Sequence, residues 1–392
     1  MPKLITIVTG LIVGLYSTKY IEQTVEFAEE LGYKIFTFNL FDEIIEQSIG
    51  NIRNAYEEAS VIGEILDGYQ YQFQSLRENA YLSISRKIDK LPKNSFVIIR
   101  TPASIEWRGV NNNLKDHRLI AEVIRPDRIV TLIDAEWKIS ERLKTSYGKH
   151  ALQTIAHQKE LTLEKILQWL GMEVSVSEDW AEWARLLTGK PVRHYVLGIH
   201  TPSFHDRTKY TFDLDNLTKF ATQEKLPAFY SSYSMTVATE SVRKQINGLI
   251  WQLRGYGVVI DPASIEIGTN IDPRDESVVF AYTVCRDLQW DVKKVDIVAA
   301  FHPYTKMPPL STGMLDELGH ARAFRKERYF LLPSGGGSPF TKNNYVPEEH
   351  IFKTGKEFFN YLEHKRKPEL KPSCQTITKA FARWQLKNTS KL

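Results

Sequence analysis

The stretch that decides the fold of the C-terminal half is RDLQW at 286–290, VDIVAA at 295–300 and STGMLDELGHA at 311–321. The first segment is typical of a helix end, the second of a buried strand and the third of the start of another helix. This alternation predicts a mainly parallel sheet with helices on both faces. Three carboxylates fall at the ends of these elements, on Asp287, Asp296 and Glu317.

The composition is that of an ordinary globular protein. The 392 residues are 42% hydrophobic and 25% charged, and a chain of this length is expected to form two domains. The net charge of +4 is too small to indicate a nucleic-acid surface. Two cysteines without metal-like spacing, Cys285 and Cys374, favour a cytoplasmic setting. No segment approaches the roughly 20 apolar residues of a membrane span, so no membrane partner is expected.

Hydrophobic patterning predicts an α/β protein in two parts. In the first part the strands are Leu4–Thr9, Lys34–Phe38, Ser95–Arg100, Arg128–Ile133 and Met172–Val176, with helices such as Ser17–Leu31 and Leu152–Leu170. In the second they are His194–Ile199, Ala228–Ser232, Gly257–Ile260, Asp296–Ala300 and Tyr329–Leu332, with helices Ser241–Arg254, Asp275–Trp290 and Gly313–Arg325. We expect domains at 1–190 and 226–345, a connecting segment at 191–225, and a basic helical tail at 346–392.

A candidate phosphate-binding loop, TGLIVGLYST, occupies residues 9–18. A P-loop needs glycines for close backbone approach and a lysine for the β- and γ-phosphates. Here Tyr16 stands at the lysine position. The residues that could form a vestigial nucleotide site are Gly10, Gly14, Ser17 and Thr18.

The first half resembles an archaeal-type adenylate kinase. The resemblance rests on ITIVTG at 5–10, STK at 17–19, IRPDRIVTLIDAEWKISERL at 124–143 and TIAHQKELTLEKILQWLGMEVSV at 154–176. It implies a P-loop-kinase-like domain with a parallel sheet. Arg100 stands where that family carries an acidic residue, and Arg142 stands alone where an arginine pair is expected. Because the transferred phosphoryl group would lack its usual stabilising charges, we expect a degenerate domain that serves as a scaffold or sensor rather than a working kinase.

The second half resembles the nucleoside 2-deoxyribosyltransferase superfamily, and within it the deoxynucleoside 5′-monophosphate N-glycosidases. The resemblance rests on the segments RDLQW at 286–290, DIVAA at 296–300 and ELGHA at 317–321, and it covers roughly residues 225–340. It implies a Rossmann-like (flavodoxin-like) domain, a dimer, and action on the bond between a sugar and a base. Glu317 would then act at C1′ of the sugar, and Asp287 would assist by protonating the base or orienting the sugar.

The same resemblance implies a 5′-phosphorylated substrate. Ser311, six residues before Glu317, replaces the aspartate that enzymes for unphosphorylated nucleosides carry. The strand at 228–232 runs into SYSMT at 232–236, which lacks the glycine-rich, arginine-containing phosphate loop of the glycosidases. With Ser311, the residues implied to bind substrate are Tyr230, Ser232, Ser234, Asp296, Gly313, Ser334, Gly335 and Ser338.

Several alternatives remain open at the level of sequence. Glu317 could be a rim carboxylate of an amphipathic helix, Asp296 could support its strand, and Ser311 is a natural helix N-cap in any case. The chain could also be a nucleotide-binding sensor or a glycohydrolase of NAD-type dinucleotides. His302 and His320 show no ligand pairing, so no metal or other cofactor is predicted. The aromatic and basic tail predicts packing against the domain rather than nucleic-acid binding.

Overall fold

A computed structural model of the chain describes residues 3–11, 17–48, 63, 70–107, 110–153, 161–199, 207–234, 238–265, 273–304, 310–335, 345–366 and 374–388. The chain forms two compact units. The first takes its described residues from Met1–Thr201, Phe220–Glu224 and Glu266–Tyr282, and the second from Pro202–Lys219, Lys225–Ile265 and Thr283–Leu392. The fold is α/β, as predicted. No helix within the described ranges is long and apolar enough to cross a membrane.

The first unit is built on a five-stranded parallel sheet. From one edge to the other its strands are β2 (Ile35–Asn39), β3 (Phe96–Arg100), β1 (Leu4–Thr9), β6 (Arg128–Ile133) and β7 (Arg193–Gly198). Strands β1 and β6 are buried at nearly every position, as expected when helices cover both faces of a parallel sheet. An antiparallel pair, β4 (Ser104–Trp107) and β5 (Val110–Asn113), follows β3 in the chain.

The helices up to residue 188 are α1 (Ser17–Glu30), α2 (Leu40–Ser48), α3 (Gln70–Asp89), α4 (Glu136–Leu143), α5 (Ser146–Ala151) and α6 (Leu163–Thr188), together with a π-helical turn at Leu119–Ile124. The predicted strand Met172–Val176 lies inside α6, so that prediction was wrong. Thr162 caps the N-terminus of α6, and Gly189 ends it with a left-handed φ of 66°. Val174 and Val176 continue a buried face with helical spacing, and this periodicity outweighs their local strand propensity.

The segment 191–225, predicted to be a connection, consists largely of regular structure. Strand β7 pairs with β6 and completes the first sheet, so the predicted strand His194–Ile199 does not begin the second one. Helix α7 (Arg207–Thr222) follows. The residues of β7 after Arg193 are all buried, which is typical of a strand in a parallel sheet covered on both faces. This burial is consistent with the pairing of β7 with β6.

The second unit is built on another five-stranded parallel sheet. From one edge to the other its strands are β12 (Ile351–Phe352), β11 (Glu327–Leu331), β10 (Ile297–Phe301), β8 (Ala228–Tyr233) and β9 (Val258–Ile260). The remaining α-helices of the described residues are α8 (Glu240–Leu253), α9 (Glu276–Cys285, of which Glu276–Tyr282 belongs to the first unit), α10 (Thr312–Ala323), α11 (Gly355–Arg366) and α12 (Cys374–Asn388). The predicted helix Asp275–Trp290 is therefore α9 followed by a π-helical segment, Arg286–Val292.

The predicted tail at 346–392 contributes to this unit rather than hanging from it. Strand β12 extends the sheet beside β11. From helix α11, Phe358, Phe359 and Leu362 enter a core cluster that also contains Phe229 of β8 and Tyr329 of β11. The aromatic residues of this part of the tail are therefore core residues, as their helical spacing predicts.

Strands β8 and β10 form the topological switch point of the second sheet. The chain leaves β8 for the edge strand β9 and then returns to β10 on the other side of β8. In open parallel sheets, ligands bind outside the carboxyl ends of the strands at such a point. Because side chains alternate along a strand, Tyr230 and Ser232 of β8 share the face opposite to that of Phe229.

Candidate active site

Glu317 is positioned by the first turns of α10. Ser311 is the N-cap, and its hydroxyl accepts a hydrogen bond from the Met314 N–H at 3.2 Å. Met314, Leu318 and Ala321 are buried and fix the helix against the unit. This anchoring holds the partly buried Glu317 toward strand β8.

Two hydroxyl groups of β8 hold the Glu317 carboxylate. The phenol of Tyr230 donates to Oε1 at 2.7 Å, and the Ser232 hydroxyl donates to Oε2. Tyr230 and Ser232 are fully buried, and they share one face of the strand at the switch point. The structure therefore brings together three residues that the sequence analysis had named separately.

The Glu317 carboxyl group has an unusual affinity for protons. Its pKa is raised to about 8, chiefly by burial; hydrogen bonds from Ser232 and Tyr230 act against this rise, and the charges of Asp287 and Asp316 add to it. Burial and the neighbouring Glu317 charge raise the pKa of Tyr230 well above its ordinary value. Tyr230 is therefore a neutral donor at any physiological pH, and Glu317 changes charge near neutrality.

Asp287 lies in the π-helical segment and is clamped by its sequence neighbour. Arg286 donates from Nε and Nη2 to Oδ1 of Asp287, at 3.0 and 2.8 Å, and from Nη1 to the Ile265 carbonyl at 3.4 Å. Arg286 is buried. Burial raises the pKa of Asp287, and the Arg286 charge opposes that rise. Since both donors bind Oδ1, the clamp fixes the orientation of the carboxylate and leaves Oδ2 to other contacts.

Asp291 is a further acidic residue of this site that the sequence analysis did not single out. It is buried, and burial raises its pKa well above the ordinary value. The charge of Arg286 opposes this shift, and the charges of Asp287 and Glu317 add to it. Its position four residues after Asp287 places the two acids on one helical face, a spacing that could have identified it.

The described residues among those implied to bind phosphate lie at the carboxyl ends of the strands or at the start of α10. Ser234 follows β8, and Ser334 follows β11. The hydroxyl oxygens of these two serines are buried, and neither has a hydrogen-bond partner among the described residues. A buried polar atom without a partner is expected to meet a ligand or water. Gly313 is exposed, with open space around it. Ser338 lies outside the described residues.

Gly335 closes the turn after β11. Its N–H donates to the Leu332 carbonyl at 3.0 Å, and its φ of 59° is left-handed, which favours glycine. Lys353 follows β12, and its Cε lies 3.7 Å from the position that a Cβ atom on Gly335 would occupy. A positively charged side chain therefore borders the turn that carries Ser334. Sequence reasoning missed Lys353 because it comes from the segment predicted as a tail.

Asp296 lies at the amino ends of the strands, and its expected role in substrate binding stays a prediction. Its carboxylate accepts a hydrogen bond from the Ala228 N–H at 2.9 Å. Its own N–H donates to the Ala228 carbonyl at 2.9 Å. Ala228 begins β8, and Asp296 directly precedes β10, so both lie at the amino ends of their strands. Asp296 therefore joins two strands at their amino ends, whereas Glu317 contacts Tyr230 and Ser232 farther along β8.

In the first unit, the residues expected to form a vestigial nucleotide site are only partly described. Gly14 and Tyr16 lie outside the described residues, as do the side chains of Ser17 and Thr18, which begin α1. The Gly10 N–H donates to the Glu173 carboxylate at 2.8 Å. Arg142 donates to the buried Asp134 at 2.7 Å, so the arginine expected to face a phosphoryl group is held by a carboxylate of the protein.

Within the described ranges, no group of three or more His, Cys, Asp or Glu side chains is arranged to hold a metal ion. No protein-family model matches the chain, and no curated protein matches it in sequence at a significant level. The functional assignment must therefore come from the site itself. The central feature of that site is a carboxylate of raised pKa, held by two hydroxyls at the switch point of a parallel sheet.

Proposed function

We propose that the second unit breaks the N-glycosidic bond of a nucleoside 5′-monophosphate, by hydrolysis or by transfer of the sugar to a second base. The observation that carries this proposal is the Glu317 carboxylate, which Tyr230 and Ser232 hold at the β8–β10 switch point, with Asp287 acting on it electrostatically. Cleavage of a sugar–base bond requires a carboxylate near C1′ and a second acidic group, and this site contains both. We also propose that the fold of the second unit is a Rossmann-like domain of the deoxyribosyltransferase type.

In the proposed reaction Glu317 acts in its ionised form. Its oxygen attacks C1′, or stabilises the positive charge that develops there, while the bond from C1′ to the base nitrogen breaks. The electron pair of that bond passes to the base, which takes a proton from the acid form of Asp287. Water, or the nitrogen of a second base, then attacks C1′ and gives its proton to the Asp287 carboxylate, which restores the acid form of Asp287 and leaves Glu317 as a free carboxylate.

The preference for a phosphorylated substrate rests on the carboxyl edge of the sheet. The Ser234 and Ser334 hydroxyls are buried without partners among the described residues, and Lys353 borders the Ser334 turn. Ser311 begins α10, and a helix N-terminus favours an anion. Together these groups offer donors and positive charge to a phosphate without adding a carboxylate.

For the first unit, we propose a degenerate kinase-like scaffold. Its sheet order, β2-β3-β1-β6-β7, places β1 at the centre with its following glycine at the carboxyl edge. The Gly10 N–H and Arg142, which could contact phosphates, are both bonded to carboxylates of the protein.

The direct test is to incubate the protein with ribo- and deoxynucleoside 5′-monophosphates, the matching nucleosides and NAD, and to separate free base chromatographically. Release of base from monophosphates in preference to nucleosides supports the proposal. Equal turnover of both classes would instead identify a nucleoside transferase. Release of nicotinamide alone would identify a dinucleotide glycohydrolase, and binding without any release would identify a sensor.

A further inference from the structure

The first unit contains a group of hydrogen-bond donors that converges on one internal carboxylate. Glu173 of α6 is fully buried. Its Oε1 accepts from the Gly10 N–H and the Ala103 N–H, both at 2.8 Å. Its Oε2 accepts from the Ser104 N–H at 2.7 Å and the Ser104 hydroxyl at 2.8 Å. Each carboxylate oxygen therefore receives two donors.

The donors come from the carboxyl edge of the first sheet. Gly10 directly follows β1, while Ala103 and Ser104 follow β3, the strand beside it. Helix α6 supplies the carboxylate, and Ser177, one turn after Glu173, contacts the Thr9 hydroxyl at 2.8 Å. Two adjacent contacts along α6 therefore fix the register of Glu173 over the ends of β1 and β3.

This set of donors is suited to an oxyanion. Backbone N–H groups that converge at strand ends and turns form anion-binding concavities. Three such groups and a hydroxyl can satisfy the lone pairs of a carboxylate, and hydrogen bonds to a charged acceptor are stronger than neutral ones. Burial nevertheless raises the pKa of Glu173 to about 7, while the hydrogen bonds from Ala103, Ser104 and Gly10 lower it.

We propose that these donors form an oxyanion cradle whose resident anion is the carboxylate of Glu173. The cradle comprises the N–H groups of Gly10, Ala103 and Ser104 and the hydroxyl of Ser104. The protein itself thus fills the place where a bound phosphate or carboxylate would accept these hydrogen bonds. It follows that removal of the Glu173 side chain beyond Cβ creates a binding site for a small free carboxylate. This inference concerns the first unit and is independent of the N-glycosidic activity.

The test is chemical rescue of Glu173→Ala by acetate. This substitution removes Cγ, Cδ and both carboxylate oxygens, and acetate supplies the same four heavy atoms. We expect Glu173→Ala to unfold at a lower temperature than the unmutated protein, and sodium acetate to raise its Tm by about 3 °C or more once acetate exceeds about ten times its Kd. Sodium chloride at the same ionic strength controls for salt. Acetamide controls for shape, because its NH2 group would face donors.

One further variant and the unmutated protein sharpen the test. Glu173→Gln should lose stability, because its NH2 group would face donors. It should show no response to acetate beyond that of the unmutated protein, because its side chain still fills the volume. The unmutated protein should show no Tm rise with inorganic phosphate or AMP, because the Glu173 carboxylate already occupies the cradle. If Glu173→Ala is not recovered folded, it is refolded from urea in acetate, chloride or acetamide.

Rescue of Glu173→Ala by acetate alone, as a Tm rise or as recovery of folded protein, supports the cradle. A folded Glu173→Ala protein that responds to acetate no more than the unmutated protein does would overturn it. So would an equal effect of acetamide, or a failure to refold in all three solutes.

Discussion

At the scale of single residues, the charge of the site depends on the protonation state of Glu317. Two hydroxyl donors favour the charged form of Glu317, whereas burial and neighbouring acids favour its neutral form. The result is a carboxyl group that titrates close to neutral pH. Perturbed titration of a buried acid, together with specific partners in a crevice, is typical of catalytic groups.

This balance predicts a pH dependence of base release. Glu317 must be ionised to act at C1′, and burial raises its pKa to about 8 in the free protein. We therefore expect kcat/KM to rise with pH until about 8, since this parameter reports the free enzyme. Tyr230→Phe and Ser232→Ala each remove a donor that lowers the pKa, so the rise should move to higher pH. A profile already flat above pH 5 would contradict this role of Glu317.

Arg286 predicts a second measurable effect, on stability. It is buried and pairs with the partly buried Asp287, and Asp291 lies close enough to act on both. Removing one partner of a buried ion pair costs about 3–5 kcal/mol, because the other charge stays buried. We expect Arg286→Met to lower the free energy of unfolding by about 3 kcal/mol, and Arg286→Met/Asp287→Asn to recover a large part of that loss in urea titrations.

Arg185→Met is a matched control for this experiment. Arg185 pairs with Glu182 on the surface of α6, and exposed pairs contribute about 0–1 kcal/mol. If Arg286→Met proved as mild as Arg185→Met, the clamp on Asp287 would not be a significant constraint.

At the scale of elements, the N-cap residue of α10 has an observed structural role and a proposed functional one. Ser311 caps the helix through the Met314 N–H, and we propose that it also faces the substrate phosphate. The two roles can be separated because aspartate caps a helix about as well as serine, whereas alanine does not.

Two substitutions at Ser311 exploit this difference. Ser311→Ala should lower the free energy of unfolding by about 1 kcal/mol and retain the preference for monophosphates. Ser311→Asp should keep the stability but lose or reverse that preference, because its charge opposes the phosphate. Thermal unfolding and base release from paired nucleosides and monophosphates measure both effects. An unchanged preference in Ser311→Asp would show that Ser311 does not face the phosphate.

At the scale of the whole molecule, the protein contains two parallel five-stranded sheets with different strand orders. In the first, the Gly10 N–H and Arg142, which were expected to contact phosphate, donate to the carboxylates of Glu173 and Asp134. We therefore expect no measurable phosphoryl transfer between ATP and AMP in a coupled assay for ADP. ADP production that disappears in Ser17→Ala would show that the loop works despite Tyr16.

Much of this architecture follows from local patterns in the sequence. The predicted strand Leu4–Thr9 coincides with β1 because a run of buried, mostly β-branched residues ends at a glycine. The carboxylate of Glu317 could be named from its flanking residues, and Tyr230 and Ser232 from the resemblance that assigns substrate contacts to this strand. Their mutual hydrogen bonds could not, because they join residues more than 80 positions apart.

The features that local patterns did not reveal have a common cause, which is that long-range packing decides them. Met172–Val176 has strand propensity, but 26 residues of continuous helix incorporate it. Asp296 precedes its strand, and only the pairing with Ala228 shows that it joins the amino ends of two strands. The role of Glu173 depends on donors 163, 70 and 69 positions away, so no local pattern reveals it.

The central claim is that Glu317 carries out the chemistry at C1′, and the most direct measurement is base release by Glu317→Gln. The control is Asp316→Asn, which neutralises an exposed acid on the same turn of α10. With a 5′-monophosphate cleaved by the unmutated protein, we predict that Glu317→Gln loses about a thousandfold or more in turnover. Asp316→Asn should remain within a few-fold of the unmutated protein. A folded Glu317→Gln protein that kept more than about a tenth of the original turnover would contradict the assignment.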